Sequence, residues 1–330
     1  MINVAVVGLG WWGRNVVGLL AESERLHPLL GVDTQPEGRA WAAGQGLAVT
    51  DDLRDALTDP RIDAVILCSP HRFHADQVVA AAEAGKHVFC EKPFTTTTAD
   101  VDRALAAVAA AGVRLGIGHE RRFEPPVLEL QERCRSGDLG VPLVFEGNFS
   151  QDKFLALPAD NWRLSSTEAP VGPLSATGIH LVDLAVSILG EPSEVWARLS
   201  TRATEFGNGD TLSVTLGFAS GATASITAIL TTPFIGRICV LGSEGWMEVR
   251  DRSHPESPSG WDVLTVRRGG EREERFVAPN EAVRDNLERF ADAVEGRGDY
   301  PVPAAQIRAT VRAFEAITRS ARSGAIERLD

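Results

Sequence analysis

The chain has 330 residues, 44% hydrophobic and 24% charged, with a formal net charge of −12 and a pI of about 5.1. That length accommodates two domains, and the acidic balance argues against nucleic acid or an anionic membrane surface as a partner. The N-terminus carries no basic and apolar leader, no apolar run nears the ~20 residues that span a bilayer, and Cys68, Cys90, Cys134 and Cys239 are too scattered for a zinc site. A cytoplasmic protein with reduced thiols and no metal is therefore expected.

The first strand is predicted over Ile2 to Val7, an uncharged β-branched run that breaks onto Gly8-Leu9-Gly10-Trp11-Trp12-Gly13. A helix follows from Val16 to Ala21, and a second apolar strand, Leu26 to Val32, ends directly at Asp33, 20 residues beyond Gly13. This is the arrangement of a dinucleotide site. Gly8 turns the chain out of the strand, Gly10 lets backbone approach a pyrophosphate, and Gly13 lets the helix pack closely on the strand. The helix N-terminus then faces the phosphates, so Gly8 to Gly13, Trp11 and Trp12 included, is the cofactor-binding turn. A carboxylate at Asp33 accepts from a free ribose 2′-hydroxyl and repels a 2′-phosphate, which favours NAD over NADP. Arg39 could swing over towards that carboxylate, but is read as a solvated helix residue.

Strands are next predicted at Ala64 to Cys68, His87 to Cys90 and Val113 to Ile117, and helices at Asp76 to Ala84 and Ala99 to Ala111. This alternation calls for a doubly wound parallel sheet over residues 1–120, with its ligand crevice at the carboxyl ends of the strands. After Phe123 the pattern changes. Leu143 to Phe149, Val195 to Ser200, Thr211 to Phe218, Ala222 to Leu230 and Arg237 to Leu241 read as strands joined mostly by short turns. They predict an α/β domain over 121–330 with a large open, mainly antiparallel sheet. The mixed-charge run Arg267 to Arg275 reads as a solvated edge strand and turn. Late helices are predicted at Glu281 to Glu295 and Ala304 to Arg322, the last of which can pack back on the first domain. Thr223, Ser225 and Thr227 alternate with Ala224, Ile226 and Ala228. Such a mildly polar sheet face suits a homodimer or homotetramer, although a protein's own helices can also cover it.

Three segments carry residues suited to chemistry. Ser69-Pro70-His71-Arg72-Phe73-His74 ends the Ala64 strand, where His71 or His74 would meet cofactor or substrate, or else serve as ordinary loop and helix-start residues. Glu91-Lys92-Pro93 ends the His87 strand, also at the crevice. A lysine there can donate to a hydroxyl or carbonyl oxygen, and partial burial brings it towards proton-transfer range. In Gly172 to Asp183 a turn-rich stretch enters an apolar helix, Ile179 to Leu189, on which His180 and Asp183 share a face. A histidine is a natural general base near neutral pH, although a lone helical histidine is more often structural.

Taken together, these segments resemble the Gfo/Idh/MocA family, as do His119-Glu120-Arg121-Arg122-Phe123-Glu124-Pro125, Asn161-Trp162-Arg163 and Leu241-Gly242-Ser243-Glu244-Gly245. Glu91-Lys92-Pro93 is the most specific match. The resemblance covers essentially the whole chain. It implies a Rossmann domain followed by an open-sheet α/β domain, and NAD(P)-dependent oxidation of a secondary alcohol of a sugar, cyclitol or related cyclic diol, or the reverse reduction. Lys92 would hydrogen-bond the reacting oxygen, His180 would exchange its proton, and Glu91 would lie near the nicotinamide ribose. Ser69, Pro70, His71, His74 and Lys92 would border the cofactor. Arg121, Arg122, Trp162, Arg163, Thr177 and Asp183 would be substrate-side, with salt bridging at the domain junction the alternative for the two adjacent arginines. Ala176 departs from the family, where an aspartate often stands four residues before the histidine. That gap opens the way to another substrate shape, such as a carboxylated ring diol. A redox-cycling NAD-dependent glycosidase and a non-catalytic NAD-binding sensor are the other readings.

Overall fold

Residues 1–329 are described by the computed structural model, and they divide into two units. One comprises Met1–Glu120 with Glu281–Val311; the other comprises Arg121–Asn280 with the chain from Arg312 onward. The late segment Glu281–Val311 thus groups with the first unit, where the sequence reading placed 121–330 in the second domain and let only the last helix pack back.

In the first unit, β1 (Ile2–Val7) is buried along nearly its whole length, as a central parallel strand must be. It is followed by α1 (Trp11–Ala21), β2 (Leu26–Val32), α2 (Pro36–Gly44), β3 (Ala48–Thr50), α3 (Leu53–Thr58), β4 (Ala64–Leu67), α4 (His74–Glu83), β5 (His87–Cys90), α5 (Thr98–Ala111) and β6 (Leu115–Ile117). The six strands lie in the order β3-β2-β1-β4-β5-β6, every neighbouring pair parallel. Strand order therefore reverses beside β1, which sets the crevice between the ends of β1 and β4. Helix α1 begins earlier than its apolar periodicity suggests, because Arg14 N–H already bonds Gly10 O at 3.0 Å. Helix α2, opened by a proline at its first turn, and the short β3 and α3 carry too few apolar residues to stand out in the sequence.

The second unit opens with α6 (Pro125–Arg135) and β7 (Pro142–Ser150), then α7 (Ile179–Leu189), β8 (Pro192–Ser200), β9 (Thr211–Phe218), β10 (Thr223–Ile229), β11 (Ile235–Gly242), β12 (Gly245–Asp251), β13 (Trp261–Arg267) and β14 (Arg272–Val277). With a two-residue strand at Glu327–Arg328, they form a nine-stranded sheet in the order β14-β13-β12-β11-β7-β10-β9-β8 and then that last strand. The β7–β10 pair is parallel and the other neighbours are antiparallel. β12 and β13 fill a stretch the sequence reading left empty, and β14 is the exposed edge strand expected from its charge run. Every residue of α7 from Ile179 to Val186 is buried, because one side of the helix lies on β7 and β10. Gly147 in β7 makes that approach possible: a Cβ there would sit 3.0 Å from Leu181 Cδ2. Ala224, Ile226 and Ala228 are buried, while Thr223 and Ser225 are exposed on the other face of β10.

The returning segment includes α8 (Ala282–Val294), and the division between units falls within α9 (Ala304–Ser323). Phe290 of α8 packs edge-on against Phe89, with ring centroids 5.7 Å apart. Gly116 leaves room for it; a Cβ would lie 2.9 Å from the Phe290 ring. Tyr300 Oη accepts from Ile117 N–H at 3.1 Å, and Asn286 Nδ2 donates to Ile117 O at 2.9 Å. These contacts close the open edge at β6 and give the physical reason for the return. No helix among the described residues is long and apolar enough to cross a membrane.

Candidate active site

At the end of β1 each glycine has a distinct reason to be glycine. Gly8 has φ +89°, and a Cβ there would lie 2.7 Å from Ser69 N. Gly13 allows contact between helix and turn: its Cβ would fall 1.9 Å from Gly8 O. Around Gly10 there is open space, so the backbone can be approached closely. Gly10 caps α1 without a side-chain hydrogen bond, and the first turn contains no acidic residue. The helix N-terminus thus keeps its donors and its positive end for an anion, and this cradle fits a dinucleotide pyrophosphate. Trp11 is exposed beside it, its ring 5.5 Å from that of Trp12.

Asp33 is tied into the same turn. Its Oδ2 accepts from Leu9 N–H at 2.6 Å and its Oδ1 from Gln35 N–H at 2.8 Å. The carboxylate therefore fixes the glycine turn against β2, a role the sequence reading did not foresee. Arg39 is a half-buried residue of α2 whose Nη1 donates to Asp33 O at 2.6 Å, so its guanidinium is tied to the Asp33 main chain rather than free in solvent.

Two further loops lie at the carboxyl ends of β4 and β5. His74 is almost fully buried and bridges them, with Nδ1 2.9 Å from Pro93 O and Nε2 2.8 Å from Ser69 O. It clasps the Lys92–Pro93 loop to the Ser69 loop, and burial lowers its pKa despite those carbonyls. His71 is also buried, and Ser69 Oγ is 2.5 Å from Gln77 Oε1. Lys92 is half-buried, and its peptide bond to Pro93 is cis.

Glu91 is buried beside it, with a carboxylate oxygen 3.2 Å from Lys92 N and packed against Gly118. Burial, reinforced by the charge of Glu120, pushes Glu91 up to about 7, although the Trp12 indole and Lys92 pull it down. An acid that holds its proton more tightly when folded loses folded-state stability as pH climbs from its unfolded value, 4.5, to about 7. Glu91→Gln is therefore expected to stabilise the apoprotein by about 3 kcal/mol at pH 8, with the gain shrinking towards pH 5. Urea unfolding across that range checks this; a pH-independent difference contradicts it.

In the second unit, the sequence-predicted arginines are committed to carboxylates. Arg122 forms a bidentate pair with Asp183, at 2.6 Å from Nε and 2.7 Å from Nη2. Arg121 bonds Glu124 at 3.1 Å and both oxygens of Asp251 at 2.8 Å. Burial works against its charge, but Asp251 and Glu124 outweigh burial and raise its pKa. Salt bridging, the alternative allowed for these two residues, is what the structure shows.

His180 enters α7 from one turn of π-helix, Leu174–Gly178, which contains Ala176 and Thr177. Such turns are rare and are often found at functional sites. Just upstream, Val171 has φ 53°, a strained conformation for a β-branched residue. Thr177 is buried and spends its hydroxyl on Pro173 O at 3.3 Å.

The His180 imidazole is buried and packs on Phe149, with centroids 5.8 Å apart. Phe149 also meets His254 at 5.6 Å and Phe234 at 6.2 Å, and carries the Arg121 guanidinium 5.3 Å from its centroid. His254 Nε2 is 2.7 Å from Gln151 Oε1. Sequence reading missed this wall of Phe149, Phe234, Gln151 and His254. Trp162 and Arg163 stack on each other, the guanidinium carbon 4.5 Å from the ring centroid. Asn208, also missed, holds their loop by donating to Arg163 O at 2.7 Å and Ala169 O at 2.9 Å. Among the described residues no group of three or more His, Cys, Asp or Glu could hold a metal ion.

The family model described as "oxidoreductase family, NAD-binding Rossmann fold" matches residues 2–119, and that described as "GFO/IDH/MocA C-terminal domain" matches 127–248. The scyllo-inositol 2-dehydrogenase (NAD(+)) of Bacillus subtilis (strain 168) is 30% identical over 347 residues, covering 100% of this chain and 96% of that protein. A D-xylose 1-dehydrogenase (NADP(+)) of Haloferax volcanii is 30% identical, covering 96% of each. The crystal structure of aldose-aldose oxidoreductase from Caulobacter crescentus, complexed with glycerol, superposes with a TM-score of 0.87 at 27% identity and 99% coverage of both chains. With both halves matched and full-length relatives of this similarity, the chain belongs to the Gfo/Idh/MocA family and is an NAD(P)-dependent oxidoreductase.

Proposed function

We propose that this enzyme transfers a hydride between a nicotinamide cofactor and a secondary alcohol or ketone of a sugar, cyclitol or related cyclic diol, with NAD preferred. The observation that carries this reading is the placement of Lys92 at the end of β5, on the same sheet edge as the glycine turn that ends β1. When bound, the dinucleotide supplies the two-electron acceptor; the protein's part is to orient the substrate and move a proton.

In the oxidative direction His180 would take the proton of the substrate hydroxyl, while the bound nicotinamide would supply the hydride acceptor. Lys92 donates a hydrogen bond to the oxygen as negative charge builds on it, and the product is the ketone. Glu91, which sits against the Lys92 backbone, would be among the residues that hold the ribose. The related dehydrogenases named above act on a cyclitol and an aldose, and their chemistry supports a CH–OH substrate here.

Asp33 supports NAD over NADP, because its carboxylate would face a 2′-phosphate. Arg39 beside it softens that repulsion, so discrimination is expected to be moderate, about 10–100-fold in kcat/KM. A screen of sugars, cyclitols and cyclic diols with NAD and NADP in parallel, followed by absorbance of the reduced nicotinamide, tests the reading. Turnover of at least one such alcohol with NAD supports it. Sustained cleavage of an activated glycoside without added NAD would replace it with a glycosidase, and NAD binding without turnover would replace it with a sensor. The exposed face of β10 supports association into a homodimer or homotetramer, which sedimentation tests.

A further inference from the structure

Asn208 lies in the connection from β8 to β9 and is 2% exposed. Its side-chain amide spends both hydrogens inside the protein, on Arg163 O at 2.7 Å and Ala169 O at 2.9 Å. Those two carbonyls fix the orientation of the amide, since only Nδ2 can donate to them. Oδ1 is left buried without a hydrogen-bond partner. An unsatisfied buried acceptor is costly, so it is the two donors that give the side chain its use. The main chain adds a third bond, in which Asn208 O accepts from Gly172 N–H at 2.7 Å.

These bonds bracket Val171, the one non-glycine residue with positive φ among the described residues. A strained conformation persists only where its surroundings over-determine it, and Ala169 and Gly172 are pinned on either side. The bracket is itself anchored. Asp210, fully buried, accepts from the main-chain N–H groups of Arg202, Ala203 and Thr204 at 2.9, 2.8 and 3.1 Å. Its own main chain bonds Ser200 O at 3.0 Å and Leu230 N–H at 2.8 Å. The connection that carries Asn208 is therefore stiff enough to hold a bend that the local chain disfavours.

That bend leads directly to His180. Val171 O accepts from Leu174 N–H at 2.8 Å and Ser175 N–H at 3.1 Å, which starts the π-turn. Leu174 O accepts from Ile179 N–H, which ends it. His180 follows as the second residue of α7, so its backbone rests on the turn ahead of it. We infer that Asn208 is a positioning residue for His180: it holds the strained bend at Val171 from which the π-turn and the imidazole are set. For its effect on rate this rests on the proposed role of His180 as proton acceptor; its effect on the backbone does not. A misplacement of about 1 Å in a reacting group can cost about 100-fold in rate, and it falls on kcat while the other substrate contacts persist.

The test compares the wild type, Asn208→Ala, and Asn208→Ala combined with Val171→Gly, with NAD saturating and scyllo-inositol or D-xylose as the alcohol. Asn208→Ala is expected to lower kcat by about 10–100-fold and to change KM by less than about threefold. Glycine adopts positive φ without penalty, so Val171→Gly removes the strain that Asn208 opposes and should recover at least about fivefold of the lost kcat. A variant that was merely destabilised would gain nothing from it, because glycine also loosens the unfolded chain. A loss confined to KM, an unchanged kcat in folded Asn208→Ala, or no recovery in the double variant overturns the inference and leaves the dehydrogenase reading standing. Amide hydrogen exchange, read without any alcohol, is the second measurement. Exchange at residues 174–180 is expected to quicken at least about 10-fold in Asn208→Ala, with α8 unchanged as the control for global opening. Unchanged exchange at 174–180 refutes the inference, whether or not either alcohol is turned over. Asn208→Ser, which keeps one donor, should show smaller changes in the same direction, and it stands in for Asn208→Ala if that variant does not fold.

Discussion

Lys92→Met is expected to lower kcat by about 10²–10⁴-fold while changing NAD affinity less than threefold. The two effects separate because they depend on different parts of the same sheet edge. On the proposed reading the pyrophosphate is gripped by the glycine turn after β1, where Gly10 leaves open space and the α1 N-terminus keeps its donors. Lys92 belongs to the loop after β5, and in the proposed reaction its ammonium would be needed only as charge builds on the reacting oxygen. Methionine keeps the length of the half-buried stem and removes the charge, so the loop clasped by His74 keeps its packing. A loss confined to kcat identifies an interaction made in the transition state. If turnover is unchanged, Lys92 has no part in the reaction; if only NAD affinity collapses, Lys92 is a cofactor anchor.

The candidate site residues of the two units were not equally legible in the sequence. The glycine turn, Asp33 and Lys92 sit where strands of a doubly wound sheet end, and that architecture converts position along the chain into position in space. Local pattern was therefore enough. Phe149, Phe234, Gln151 and His254 meet only because β7 pairs with β11 in the register that sets Ser150 opposite Ile235, and because the chain leaving β12 brings His254 back. No local period encodes a contact between positions 149 and 254. The arginines show a related gap. Their type and place were visible, but two of the carboxylates that neutralise them, Asp251 for Arg121 and Asp183 for Arg122, lie 130 and 61 residues away. Val171 is harder still. A left-handed conformation is expected of a neighbour such as Gly172, yet the strain falls on the valine. Gly172 has its own constraint, since a Cβ there would meet Asn208 at 2.8 Å.

Asp183→Asn is expected to destabilise the protein by about 3–5 kcal/mol at pH 7, because it leaves the Arg122 guanidinium buried without a counter-charge. The side chains are 6% and 1% exposed, so water cannot take over the lost bonds. Replacing both partners, as in Arg122→Met with Asp183→Leu, removes the stranded charge along with the pair and should recover most of the stability, as a double-mutant cycle by urea unfolding will report. The same variant also decides what the pair does for catalysis. Asp183 lies one turn beyond His180 on α7, and Arg122 grips both its carboxylate and, at 3.3 Å, its main-chain oxygen. If that grip sets the angle at which α7 presents the imidazole, the refolded double variant will keep its stability and lose kcat, with KM little changed. If kcat returns together with stability, the ion pair is scaffolding, and the aim of His180 is set by Phe149 and the π-turn before it.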